Sequence, residues 1–394
     1  MSSDILSVGK KEQSFGKMIF FIMCIATLLG FSMTTTQSFL PNVMEMKGIP
    51  TFITGYAMSS TAILALIFGL LSAPLMSRLG TPLLMFLGMT IMLICHLSLE
   101  FVSESYGAIF LSRIIYGLGA GIFYPSALTF VKGMLQGENT VTLFGMYTST
   151  IPGAFLIGPP FAEWYLKNYG SEGYFLASAV PGILSVLLLL GLWIKNRDLR
   201  EDYKVTARYS EVLSKPTSWL PILCLVLAGS IWGYVISFLP YIATVRQISG
   251  SLFIVASTIG LFASRFIVVD RLRRFNDATV CAWAICLMAV SLLVMGWVQS
   301  SAAIAICGFI FGLSYAPTYP FISVWILRSF DKKLHHLVIA LTNTIFNFCM
   351  YIAPLFVSFY TGVLGFGFGS YQSFLSLTAL LFLGFGFAFR TFSR

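Results

Sequence analysis

Charge is what this chain has least of. Of its 394 residues only 10% are Asp, Glu, Lys or Arg, whereas 57% are apolar; an ordinary soluble domain carries about 25% charged residues. Such a chain cannot cover a water-facing surface, so lipid is its expected solvent. Acids are scarcer than bases, 15 against 24, for a net charge of +9. The bases sit between apolar runs and form no patch, which excludes nucleic acid as a partner. The carboxylates at the spans, Glu163 and Asp270 among them, stand near span ends and none in mid-span, so a cationic solute lacks a counter-charge. The three histidines, His96, His335 and His336, do not converge with other ligands, and no metal site is expected. The cysteines at 24, 95, 224, 281, 286, 307 and 349 have no paired spacing and read as apolar thiols. There is no Walker loop, dinucleotide fingerprint or nucleophile motif, hence no expected cofactor, no ATP-driven step and no enzyme. An enzyme within the membrane would need acids, histidines or cysteines clustered at one depth, and none is found.

What is there instead is long apolar runs. A helix crossing the hydrocarbon layer needs about 20 residues, and the runs predict helices at 18–40, 51–76, 82–101, 107–131, 141–166 and 174–194. A second six follow at 218–242, 250–269, 277–298, 301–327, 337–361 and 371–389. The fold class is thus an all-α membrane protein of twelve helices in two six-helix bundles, 1–194 and 218–394, joined by a charged linker at 195–217. Lys10, Lys11 and Lys17 precede a first apolar stretch too long for a signal peptide, and it reads as a retained span.

Counting alternate loops as cytoplasmic places 19 of the 24 Lys and Arg inside and only Lys47, Lys167 and Arg246 outside, with Arg113 and Arg265 in spans. Both termini are therefore expected in the cytoplasm, and the chain in the cytoplasmic (inner) membrane. Arg265 is within snorkelling reach of the inner surface. Trp164-Tyr165, Tyr174, Trp219 and Tyr371, near helix ends, read as interfacial anchors.

The second half repeats the first. Leu40-Pro41 returns as Leu239-Pro240, Ser77-Arg78 as Asp270-Arg271, Gly117-Leu118 with Tyr124-Pro125 as Gly312-Leu313 with Tyr319-Pro320, and Gly158-Pro159 as Ala353-Pro354. The offsets are 199, 193, 195 and 195. A duplicated bundle with its site at the repeat interface is the plan of many secondary transporters.

Two copies of six spans, a charged loop after the second span of each copy and a long central loop resemble the major facilitator superfamily over essentially the whole chain. That family's loop between spans 2 and 3 reads roughly G-x-x-x-D-R-x-G-R. Here Arg78 and Gly80 match in the first copy, and Asp270 and Arg271 in the second. The resemblance implies a conformational latch at these four residues; Ser77 departs from the family's acid. Arg113, Tyr116, Gly117, Gly119 and Gly121 are similar to the span 4 motif R-x-x-x-G-x-G. In span 5, Gly145, Ala154, Gly158, Pro159, Ala162 and Glu163 stand where the drug:proton antiporter branch carries G-x8-G-x3-G-P-x2-G-G. This implies a hinge or close-packed seam at Gly145, Gly158 and Pro159. Glu163, beside Trp164-Tyr165, reads as a headgroup-level residue.

Polar residues in mid-span mark the cavity, because a polar group facing lipid is costly. Candidates are Gln37 beside Thr34, Thr35 and Thr36 in span 1, Trp232 with Ser230 and Tyr234 in span 7, and Tyr315 and Tyr319 with Thr318 in span 10. Asn343, Asn347 and Tyr351 recur every four residues in span 11 and share one face. Arg113 lies about 9 Å inside the outer boundary by helical rise, either facing a cavity or snorkelling to headgroups. The resemblance further implies that spans 3, 6, 9 and 12 are scaffold. The leading expectation is a monomeric, alternating-access secondary transporter of a small organic solute by proton-coupled efflux. Import of an organic anion or metabolite is the second, and a non-transporting receptor or scaffold the third.

Overall fold

A computed structural model describes residues 2–101, 105–134, 147, 149–196, 212, 214–215, 217, 219–272, 274–331 and 334–362, with side chains from Phe20 onward except at 132–134, 269–270, 335–336 and 361–362. The described residues are helical, without strands. The helices are α1 Ser2–Met46, α2 Thr51–Leu79, α3 Thr81–Phe101, α4 Tyr106–Met134, α5 Gly158–Tyr169 and α6 Tyr174–Lys195. They continue with α7 Trp219–Val245, α8 Leu252–Ala263, α9 Asp277–Trp297, α10 Ser301–Arg328 and α11 His335–Gly362. Nine of them are long and apolar enough to cross a membrane. The expected span at 371–389 and the start of the expected span at 141–166, with Gly145, lie outside the described residues.

Two expected spans are interrupted. Helix at 149–154 gives way to turns at 155–157 before α5 begins. Pro159 and Pro160 lack the N–H groups that would bond the carbonyls of Phe155 and Leu156. The turn closes with tighter bonds, among them Phe155 N to Pro152 O at 3.1 Å and Ile157 N to Ala154 O at 3.1 Å. After Ala263, α8 widens into a π-helical segment, Ser264–Val268, before a last turn, Val269–Leu272. Such widenings often occur at functional positions.

Stripes of exposed apolar side chains run down the outside of the bundle. Ile63, Ile67 and Leu71 form one on α2, and Trp283, Leu287, Val290, Val294 and Trp297 another on α9. Spacings of three and four put each set on one helix face, and a face of that kind belongs in lipid. The chain is an integral, multi-pass membrane protein. Trp219 is exposed at the start of α7 as an anchor should be, and Trp164 is exposed midway along α5, but Tyr174 is fully buried and its OH donates to Thr35 O at 2.9 Å. The anchor reading of Tyr174 is corrected: it ties α6 to α1. Tyr371 lies outside the described residues.

Glycines bring helices close in the same way in each half. A Cβ on Gly117 of α4 would lie 2.1 Å from Thr61 O and 3.1 Å from Ala65 N of α2. A Cβ on Gly312 of α10 would lie 1.8 Å from Ser257 O and 2.8 Å from Leu261 N of α8. The repeated sequence therefore repeats a packing contact.

One end of the bundle carries the turns after odd-numbered helices, here the odd-loop face, and the other end the even-loop face. Arg78 and Arg271 are exposed on the even-loop face; the Asp270 side chain lies outside the described residues. Gly80 ends α2 at φ 82° and ψ 149° and donates its N–H to Met76 O at 2.9 Å. This conformation is open to glycine but strained for L side chains. Gly80→Ala should lower unfolding stability by about 1–3 kcal/mol, read as a lower melting temperature in detergent without loss of helical content. The ion pair Arg328 to Asp277, 2.5 Å, joins α10 to α9 on the same face.

Candidate functional site

Arg113 is buried where its helix position predicts, with 1% exposure. The snorkelling alternative is ruled out by that burial. Its Nη2 donates to Gln37 Oε1 of α1 at 3.0 Å, and Cζ sits 4.5 Å above the ring of Tyr116. Its Nε has no hydrogen-bond partner among the described residues. Gln37 uses its other amide atom as well: Nε2 donates to Ser237 Oγ of α7 at 3.0 Å. A chain of two hydrogen bonds thus runs from α4 through α1 into the second half. Sequence reasoning found Arg113, Tyr116 and Gln37 but missed Ser237.

It also missed His96, which lines the same cavity as Arg113. Nε2 lies 3.0 Å from Phe175 O and 2.9 Å from Ser178 Oγ, and Nδ1 lies 2.6 Å from Thr36 Oγ1. A carbonyl can only accept, so Nε2 carries a proton. The Thr36 hydroxyl, which also reaches Ser32 O at 3.2 Å, pairs with Nδ1. Met89 and Met92 of α3 and Gly182 of α6 line the cavity too, which corrects the assignment of spans 3 and 6 to scaffold. The available signal was Thr36, His96 and Ser178, small polar groups at one depth on three spans.

In the second half, Trp232 of α7 stacks on Tyr315 of α10, with centroids 4.5 Å apart and planes 13° apart. Phe155, from the break in span 5, meets Trp232 edge-on at 5.5 Å. Tyr319 contacts Phe346 edge-on at 5.4 Å. Asn343 and Asn347 line a second cavity with Tyr351, Tyr124, Gly69 and Thr344, between α2, α4 and α11. Asn347 Nδ2 donates to Asn343 O at 2.8 Å, so part of the predicted polar stripe serves its own helix. The candidates form three clusters rather than one open chamber. The cavity beside Arg113 measures about 20 Å³, the room of a single water, so the site is closed.

Among the described residues, several hydrogen bonds tie the halves on the odd-loop face. Tyr241 OH donates to Glu45 Oε1 at 2.9 Å, and Thr51 Oγ1 to Tyr241 OH at 3.1 Å. Glu163 Oε2 accepts from Ser249 Oγ at 2.8 Å and from Ser251 N at 2.9 Å. Glu163 is therefore an inter-half clamp, which corrects its headgroup-level reading. Glu45 and Glu100 also lie within helices near the same end. Glu100 accepts from Lys47 Nζ, 3.0 Å, and from the N–H groups of Gly173 and Phe175, capping α6 from outside. Toward the even-loop face, Arg265 Nη1 donates to Ser149 Oγ, so Arg265 bridges to span 5 instead of snorkelling. Gly158 seats α5 against α1: a Cβ there would lie 2.2 Å from Thr34 Oγ1 and 3.2 Å from Thr35 N. Pro159 follows at the break, where the resemblance implied a seam.

The arrangement has counterparts. A multi-drug resistance efflux pump, PmrA, of Streptococcus pneumoniae is 25% identical over 192 residues, which cover 48% of this chain and 46% of the pump. The methylenomycin A resistance protein of Bacillus subtilis is 23% identical over 174 residues, 41% of this chain and 36% of that protein. The chain thus matches less than half the length of these relatives. A crystal structure of a mutant nucleoside transporter NupG superposes with a TM-score of 0.81 over 95% of this chain and all of that one, at 13% identity. A mutant of the peptide transporter POT in complex with alafosfalin gives 0.78 over 96% of this chain and 94% of its own, also at 13% identity. These likenesses establish a shared fold. The sequence profile of the Major Facilitator Superfamily matches residues 22–354, and the chain belongs to that superfamily.

Proposed function

We propose that this protein moves a small organic solute across the cytoplasmic membrane by alternating access, as proton-coupled efflux of a drug-like or metabolite solute. The observation that carries the reading is the bond chain Arg113–Gln37–Ser237, which crosses from one half to the other at a buried site. A solute engaging Arg113 or Gln37 acts directly on the contact between halves. In this reading the halves, 1–194 and 218–394, rock about that site, with both termini and the even-loop face in the cytoplasm. The positive-inside count supports the orientation, and the likeness to efflux pumps supports the direction. The odd-loop clamps then make this an outward-closed state. Import of an organic anion is the second reading, favoured by a buried arginine without a carboxylate partner among the described residues. Gln37, Arg113, Tyr116, Trp232, Tyr315, Tyr319, Asn343 and Asn347 are the proposed contact residues, and a monomer suffices.

Reconstituted vesicles test it. With the even-loop face outward, an interior acidified relative to the bath should drive a labelled solute from a drug and metabolite panel inward, and reversing the gradient should abolish the accumulation. Accumulation under the opposite gradient would indicate import, and no movement of any solute would favour the receptor reading.

A further inference from the structure

We infer that the solute is an organic anion whose acidic group is held by Arg113, beside the Gln37–Ser237 bond between the halves; this rests on the transport reading above. A guanidinium stays charged at any physiological pH, and a buried cation left without an anion is costly. Among the described residues, the compensation around Arg113 consists of one amide oxygen and one ring face, with Nε unpartnered in a side chain that is 1% exposed. None of these carries negative charge.

Three acids near the odd-loop end are engaged elsewhere, and Glu172 there is exposed. Glu45 accepts from Tyr241, Glu100 from Lys47 and two backbone N–H groups, and Glu163 from Ser249 and Ser251. Among the described residues, a cationic solute would thus meet a like charge with no free buried carboxylate beside it. An anion supplies what the site lacks.

The apolar walls describe the rest of the solute. Met33, Met89, Met92 and Leu93 line the cavity beside Arg113, and of the polar groups also there Thr36 and His96 are taken up with each other. Methionines adapt to many shapes, so the solute is an acid with an apolar body. The closed cavity is too small for it, and its entry requires rearrangement. A carboxylate can take the free Nε–H together with one hydrogen of Nη2, while Gln37 Oε1 keeps the other. The acid then sits beside the Gln37–Ser237 bond, and occupancy is felt at the contact between halves.

The test is a charge series on one shape. Benzoate, benzamide and benzamidinium, and the same three groups on naphthalene, are titrated against the purified full chain in detergent, with binding read by calorimetry and by thermal shift. The carboxylates should bind at least about tenfold more tightly than the amides, a charge-assisted contact against a neutral one, and the amidinium ions should not bind. Arg113→Gln should remove that preference. The wild-type series needs no variant, so it decides the matter even if Arg113→Gln does not fold. Equal or tighter binding of amides or amidinium ions, no binding of either carboxylate, or an undiminished carboxylate preference in Arg113→Gln would each overturn the inference. If neutral or cationic solutes cross vesicle membranes while carboxylates do not bind, transport stands and the anion site falls. If carboxylates bind through Arg113 and no solute crosses, the anion site stands and transport falls.

Discussion

Valine at position 312 is expected to leave no correctly packed protein, and valine at 117 should do the same through the other half. At both positions the space belongs to a neighbouring backbone. A Cβ on Gly312 would sit 1.8 Å from Ser257 O and 2.6 Å from its carbonyl carbon; on Gly117 it would sit 2.1 Å from Thr61 O and 3.0 Å from the carbonyl carbon. A flexible side chain can swing aside, but a helical carbonyl moves only with its helix. Separating α8 from α10, or α2 from α4, forfeits the close contact that drives helix association where lipid is as apolar as the side chains. Each valine should cost roughly 3 kcal/mol or more, at or above the upper end for overpacking. Size-exclusion chromatography should show aggregate in place of a single peak for both variants. Gly191→Val is the control: Gly191 lies on an exposed face of α6, where an added Cβ would meet nothing within 4 Å, and the variant should elute as the parent does.

The paired glycines also show why so much of the fold was legible. Gly117 and Gly312 survive duplication because a backbone contact tolerates nothing else, so the repeat is written in residues that cannot drift. Arg113 was legible for the opposite reason, as a charge in an apolar run. What one dimension hides is which polar groups meet. Gln37 and Ser237 are 200 residues apart and 3.0 Å apart in space, and no periodicity in either helix announces the pairing. Glu163 read as a headgroup residue because Trp164 and Tyr165 follow it; only the fold lays Ser249 and Ser251 over it. The expected end of span 1 at Leu40 fell short of Met46, and those extra residues carry Glu45 to Tyr241. The break at 155–157 was readable in Pro159-Pro160, a pair that cannot continue a helix from the preceding turn. His96 was set aside for lack of metal-ligating neighbours, although its partners are hydroxyls and a carbonyl.

The second large effect concerns the odd-loop clamp. If the halves rock, Glu163 must part from Ser249 in every cycle, whereas Lys47 and Glu100, both in the first half, need never separate. Holding the first pair together should therefore stop transport, and holding the second should not. Differential affinity for two arrangements is all that a solute can exploit, and a bridge across the halves removes one arrangement altogether. Cysteines are introduced in a background lacking the native seven: Glu163→Cys with Ser249→Cys, and separately Lys47→Cys with Glu100→Cys. Each pair is bridged by a short, reducible bifunctional thiosulfonate, and solute flux is measured in reconstituted vesicles before bridging, after it and after reduction. The 163–249 bridge should bring flux down to that of empty vesicles and reduction should restore it, while the 47–100 bridge leaves flux unchanged. Undiminished flux through protein bridged at 163 and 249 would contradict alternation of the two halves.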